Sequence, residues 1–275
     1  MILGGSRGAG RERGARARRR GVALAAAVAV LLALSACTVS APAARRPSHP
    51  PKPHATQTPR ALPTATSTPT PVGFDKSAHS VDDPNSIWVV VNKARPLNPI
   101  DYTPPTLVYP DVTYVNRQPM RPEVADALVA MFKAGKAEAG LDFSVQSAYR
   151  SFESQTRVYN DDVAQHGQAY ADTDTARPGH SEHQTGLAVD ISAVPAKCSL
   201  DACFGTTLQG AWLSANSWKF GFILRYAEIT APITGFTYEP WHFRYVGVPL
   251  ANELHAERVN TLEEFFGVPG GTEYH

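Results

Sequence analysis

From Pro122 to Gly140, apolar residues fall at Val124, Leu128, Met131 and Phe132, the spacing of one helical face. Pro122 suits a first helical turn, Glu123 follows it, and Gly140 supplies a stop. "DFSVQSAYR" then alternates as a strand does, with Phe143, Val145 and Ser147 on one face. "SFESQTRVYNDDVAQHG" predicts a second helix capped by Ser151. Residues 167–182 read as an irregular loop. "GLAVDIS" predicts a strand, and "LQGAWLSANSWKFGFIL" a third helix running into a turn at Gly221. "YEPWHFRYVG" predicts a final strand and "NELHAERVNTLEEFFG" a terminal helix. Upstream, Trp88–Val91 predict a short strand, followed by a Pro-punctuated extended stretch. Short strands interleaved with helices predict an α+β domain, a small central antiparallel or mixed sheet flanked by helices.

Before Phe74 this patterning is absent. Residues 38–73 are dominated by Pro, Thr, Ser and Ala. Such a segment buries too little apolar surface to offset its ordering entropy, and its prolines favour extended conformations. It reads as a disordered tether. Met1–Arg20 is rich in Arg, with Glu12 its only acid, and "GVALAAAVAVLLALSAC" follows. Basic, apolar, then small is the order of an export signal. The apolar core of roughly 13–15 residues falls short of the about 20 that span a bilayer. "LSAC" resembles the lipobox of bacterial lipoproteins, which implies cleavage before Cys37 and lipid on its sulfur. An ordinary secretory signal and an uncleaved anchor are the alternatives. Each sends the remainder outside the cytoplasm. The expected organisation is a signal over 1–37, a tether over 38–73 and a globular domain over 74–275.

Composition adds two constraints. With 26 basic and 25 acidic residues, the net charge of +1 suggests no nucleic-acid partner. The cysteines number three, and if Cys37 carries lipid, Cys198 and Cys203 in "CSLDACFG" remain. Disulfides persist outside the reducing cytosol, so this pair is expected to be bonded. Metal ligation is the alternative, but the gap lies at the outer limit of zinc-finger spacing and no second Cys pair exists.

The candidate chemistry lies in "PGHSEHQTGLAVDIS" and "EPWHFRY". Catalytic zinc takes three protein ligands, His nitrogen or carboxylate oxygen, and keeps one position open. His183, Asp190 and His242 could supply them, with Glu239 three residues before His242. The helical H-E-x-x-H motif is absent. "HSEH" is one residue short of the inverted H-x-x-E-H pattern, and Gly179 and Gly186 flank it. Any zinc is therefore held by strands and loops. Pro240 pushes Glu239 into an extended conformation, from which its carboxylate can project beside a metal. Singly, each residue has a plain explanation: a surface histidine, an Asp serving a neighbouring turn, a histidine packed between Trp241 and Phe243. The acids of "ADTDTARPG" and Asp161-Asp162 read as solvated, and His166 and His180 belong to no site.

"SEHQTGLAVDIS" followed by "EPWHFRYVG" resembles the zinc D-alanyl-D-alanine carboxypeptidases of the VanY type. Their superfamily includes D-Ala-D-Ala dipeptidases and the hedgehog amino-terminal domain. "VNKARPLNP", "SAYRSFESQ", the small Cys loop and "FGFILRYA" extend the resemblance over about Asn85 to Gly247. It implies one zinc held by His183, Asp190 and His242, with Glu239 as general base and acid. It makes Arg150 the residue facing the scissile carbonyl and the substrate carboxylate, and it places Gln155 and Ser181 along the substrate site. Arg225 is a second candidate for the terminal carboxylate.

The implied activity is removal of the terminal D-Ala from peptidoglycan stem peptides by a monomeric, lipid-anchored enzyme on the outer face of the cell membrane. The same machinery could make an L,D-carboxypeptidase, a D,D-dipeptidase or an endopeptidase. A non-catalytic wall-binding zinc domain is a rival of another class, and a structural site has no need of the Glu239 base. A tethered scaffold protein would rest on the Pro/Thr segment alone.

Overall fold

A computed structural model describes residues 73–275. The signal, Cys37 and residues 38–72 of the tether lie outside the described residues. The sheet contains β1 (Asp142–Ser147), β2 (Ala188–Val194), β3 (Phe222–Leu224) and β4 (His242–Tyr245). Its order is β1-β2-β4-β3, and every neighbouring pair is antiparallel. This is the α+β architecture that the interleaved patterns predict.

Helix α1 (Pro122–Ala139) starts at its proline and stops where Gly140 adopts the left-handed conformation, φ 67°. Its stripe of Val124, Leu128, Met131 and Phe132 packs with Phe143 and Val145 of β1 and Val189 and Ile191 of β2. Full burial of each such side chain contributes about 1.5–3 kcal/mol. A bulge between Val145 and Ser147 interrupts the alternation of β1 and sets Ser147 opposite Asp190. Helix α2 (Phe152–His166) is capped by Ser151, whose side chain accepts from the Ser154 amide. A second apolar cluster joins Trp88 and Val90 to α6 (Val248–Glu257) and α7 (Leu262–Phe266) through Leu250, Leu254, Leu262 and Phe265.

Four elements differ from the sequence expectation. Trp88–Val91 form no strand, although all four are buried. Side chains take up their carbonyls instead: Arg244 donates to Val89 O at 2.7 Å and Arg95 to Val90 O at 3.1 Å. The stretch 167–182 is not all irregular, because α3 spans Gln168–Asp174 directly after Gly167. No side chain caps its start, so the usual signal is missing. The third helix, α4 (Leu208–Asn216), gives way to a single 3₁₀ turn at Ser217–Phe220, and Phe222–Leu224 beyond Gly221 pair with β4 as an edge strand. The terminal helix is two helices, broken at Arg258 (φ 58°) and restarted by Thr261, which accepts from the Glu264 amide. A short helix α5 (Ala231–Thr234) lies between β3 and β4.

Candidate metal centre and catalytic cleft

The two inner strands deliver the first pair of functional side chains. Asp190 on β2 and His242 on β4 are cross-strand partners. Opposed residues sit about 4.5–5.5 Å apart on one face, so both project together. His183 arrives from a 3₁₀ turn, Glu182–Thr185, that ends at Gly186 in the left-handed conformation, φ 68°. His183 Nε2 lies 3.2 Å from Asp190 Oδ2, and His242 Nδ1 lies 3.1 Å from Asp190 Oδ1. All three side chains are buried, and one donor atom from each falls within 4.8 Å of the others.

The remaining ring nitrogens show that this donor set fits zinc. His183 Nδ1 is 2.7 Å from the Ala148 carbonyl, so that nitrogen carries the proton and Nε2 keeps its lone pair toward Asp190. His242 is turned the other way: Nε2 lies 3.3 Å from Glu182 Oε2, leaving Nδ1 toward Asp190. Outer hydrogen bonds of this kind fix the tautomer and orientation of metal-binding histidines. Two imidazole nitrogens and a carboxylate oxygen on one side of a cleft match the ligand set of catalytic zinc, with a fourth position open.

Before a metal binds, the electrostatics are unbalanced. Asp190 is buried, yet its histidine neighbours hold its carboxyl well below the usual range. Burial alone would lower His242, but its bonds to Asp190 and Glu182 raise it to about 9. Burial pushes Glu239 up to about 8, with His242 opposing. The Glu239 carboxylate stands 3.7 Å from His242 Nδ1, beside the donor cluster. Its placement follows from a turn over Glu239-Pro240-Trp241-His242, closed by the His242 amide donating to Glu239 O at 3.1 Å.

Arg150 faces the same cleft, a cavity of about 220 Å³ also lined by Asp174, Ser181, Leu200 and Trp241. Its amide donates to His183 O, and its guanidinium donates to Gln155 Oε1 at 3.0 Å and to Ser147 Oγ at 3.1 Å. Gln155 is fully buried and also donates to the Ala176 carbonyl at 2.7 Å. It lines the cleft, as the sequence suggests, but its amide is committed to holding Arg150 and the 176 backbone. Ser181 lines the cleft directly. Cys198 and Cys203 are disulfide-bonded, and their loop carries Leu200 to the cleft.

Arg225 is not available for a substrate carboxylate. It is fully buried and bonded to Glu182 at 2.8 Å and to both oxygens of Glu263 at 3.0 and 2.6 Å. The residue missed from sequence is Glu182, which also accepts from Arg244 at 2.8 Å and from His242. Arg244 follows His242 by two in a strand, a position a buried partner alone explains. Asp162 is likewise not simply solvated. It pairs with His166 at 2.7 Å, and its Oδ2 is buried without a partner. Asp172 is bound by Arg177, and His180 is buried with Nδ1 2.9 Å from the Asn92 carbonyl.

A cluster of this geometry, opening on a cleft with a carboxylate and a guanidinium at hand, defines a zinc metallopeptidase. The VanY D-alanyl-D-alanine carboxypeptidase family model matches residues 117–248. The Bacillus subtilis protein named "Putative carboxypeptidase YodJ" is 41% identical over 192 residues, covering 68% of this chain and 69% of that protein. Among solved structures, the LdcB L,D-carboxypeptidase superposes with a TM-score of 0.62 at 41% identity, covering 67% of this chain and 87% of the other. A vancomycin-resistance D,D-pentapeptidase VanY, solved with Zn(II), gives a TM-score of 0.55 at 32% identity, covering 64% and 97%. VanYB has also been solved with D-alanine-D-alanine. The chain belongs to the VanY family of D-alanyl-D-alanine carboxypeptidases, and its cofactor is zinc.

Proposed function

We propose that this enzyme removes the terminal D-Ala from peptidoglycan stem pentapeptides, with His183, Asp190 and His242 holding one zinc ion. The observation that carries this is the meeting of that donor set, Glu239 and Arg150 in one open cleft. Zinc bound there supplies a Lewis acid for the scissile carbonyl and acidifies an attacking water toward a pKa of about 7. Glu239 accepts the water proton as the oxygen bonds to the carbonyl carbon. It then returns that proton to the leaving nitrogen as the C–N bond breaks. The Arg150 fork, steadied by Gln155 and Ser147, faces the developing oxyanion and the substrate carboxylate. Ser181 lines the path of the peptide.

The identity to LdcB supports a second reading, an L,D-carboxypeptidase acting on tetrapeptides with the same residues. Incubation of the zinc-loaded enzyme with pentapeptide and tetrapeptide muropeptides, read by mass, separates the two. Chelator-sensitive loss of one alanine from the pentapeptide alone is the expected result. Loss from the tetrapeptide instead would move the assignment to L,D-specificity. Zinc binding without cleavage of either would leave only wall binding.

The same proposal extends to location. A signal over 1–37, lipid on Cys37 and a tether over 38–73 would hold a monomeric domain, 74–275, on the outer face of the cell membrane. The order of basic, apolar and small residues supports this, as does the disulfide, which suits an oxidising compartment. Labelling of expressed protein with a radioactive fatty acid, and its loss in Cys37→Ser, tests the anchor.

A further inference from the structure

Four acidic side chains line the catalytic cleft: Asp174, Glu182, Asp190 and Glu239. Three are occupied. Glu182 is bound by two guanidiniums, Asp190 sits between two histidines, and Glu239 stands beside His242. Asp174 is exposed at the cleft, and among the described residues no ion pair or hydrogen bond engages its carboxylate. Desolvation and the charge of Asp162 both oppose its ionisation, His166 favours it, and Asp174 in turn raises Glu239 across the cleft. Arg177, the cation nearest in sequence, is committed to Asp172 through bonds of 2.9 and 2.7 Å and lies over the Tyr274 ring.

The backbone around Asp174 is nonetheless fixed. It closes α3, the Thr175 amide donates to Ala171 O at 2.8 Å, and the Ala176 carbonyl is held by Gln155. A carboxylate without a cation, on a preorganised wall, costs little to bring to a ligand. The cleft therefore has a guanidinium, Arg150, and an unpaired carboxylate, Asp174, on its lining.

We propose that Asp174 is a specificity-determining residue that receives the side-chain ammonium of a diamino acid in the stem peptide, upstream of the scissile bond. This rests on the carboxypeptidase reading. A stem peptide carries a free carboxylate at its end and an amine-bearing residue two positions before the cut. Two extended residues span about 7 Å, and Arg150, Asp174 and the donor cluster line the same cleft. The Asp174 carboxylate gains a charge-assisted hydrogen bond, and the substrate gains register.

The test compares two pentapeptides in each enzyme, one with a free side-chain amine and one with that amine acetylated. Lysine-containing and diaminopimelate-containing versions are both run, to tell which diamino acid the carboxylate prefers. The wild-type enzyme is expected to favour the free amine by about fivefold to tenfold in kcat/KM, carried mainly by KM. Asp174→Asn brings that ratio close to one, Asp174→Glu keeps it, and Asp174→Lys shifts preference to a succinylated, anionic side chain. A wild-type ratio near one, or a ratio retained in Asp174→Asn, overturns the assignment while leaving the carboxypeptidase reading intact. Failure of the wild-type enzyme to cut either peptide overturns both.

Discussion

Two buried ionic clusters lie side by side in this protein, and they are balanced differently. The first joins Glu182 and Glu263 to Arg225 and Arg244 by contacts of 2.6–3.0 Å. Two carboxylates meet two guanidiniums, and the cluster is neutral and complete. The second joins Asp190 and Glu239 to His183 and His242. Its carboxylates face imidazoles that carry charge only when protonated. Burying a charge without a partner costs far more than burying a matched pair. So the first cluster is framework, and the second has a place for a cation. The Glu182–His242 contact, 3.3 Å, joins them and lets the framework aim a ring of the proposed metal site.

The sharpest way to separate the clusters is to remove one acid from each. Glu239→Ala takes away the proposed base and leaves the zinc donors in place. The expected loss of kcat on pentapeptide reaches about 10⁴-fold, with zinc content near one per chain. Removing a carboxyl that burial has already pushed up to about 8 should not lower stability. A variant that kept wild-type turnover would sink the assignment of Glu239.

Glu182→Ala acts on the other side of the comparison. It strands two buried guanidiniums, so the urea midpoint should fall by an amount equivalent to about 3–5 kcal/mol. Where the variant still folds, zinc affinity should drop about 10–100-fold, because His242 Nε2 loses its acceptor. Glu182→Gln keeps a hydrogen-bond acceptor and should lie between the two enzymes. Unchanged stability in Glu182→Ala would mean that the neutral cluster is not framework.

These two clusters also show what a sequence can and cannot reveal. The second was legible because its members sit in short, distinctive motifs: His183 and Asp190 across one turn, Glu239 and His242 across another. The first was not, because its members come from four separate stretches of the chain, and only the fold brings Arg225 and Glu263 together. In the sequence Arg225 therefore stands beside Arg150 as a second candidate for the substrate carboxylate, which its burial against Glu182 and Glu263 rules out. The helices with strong start signals, α1 and α2, were plain in the pattern. α3 lacks a side-chain cap, and guanidinium donors rather than a ladder take up the carbonyls of Val89 and Val90. In both places the fold departs from the strand and the irregular loop that the local pattern predicts.

The smallest effect is the most diagnostic, because only one cluster titrates near neutrality. In the neutral cluster, burial opposes Glu182, but the two guanidiniums hold it far below its ordinary value, and the acids keep Arg225 far above its own. In the other, His242 of the zinc-free protein is raised to about 9. A raised folded pKa stabilises in full below the unfolded value of about 6.5, and that contribution is lost as pH climbs through about 9. Glu239, raised to about 8, acts in the same direction. Zinc requires the neutral ring, so its binding expels the proton. Zinc affinity should therefore climb about tenfold per pH unit between about pH 6 and about pH 8, for each proton released. Over the same interval the zinc-free protein should become easier to unfold. Competition against a chromogenic chelator reads the first trend and urea midpoints the second. Opposite slopes would place both effects on this second cluster, whereas an affinity independent of pH would show that the His242 ring is already neutral before zinc arrives.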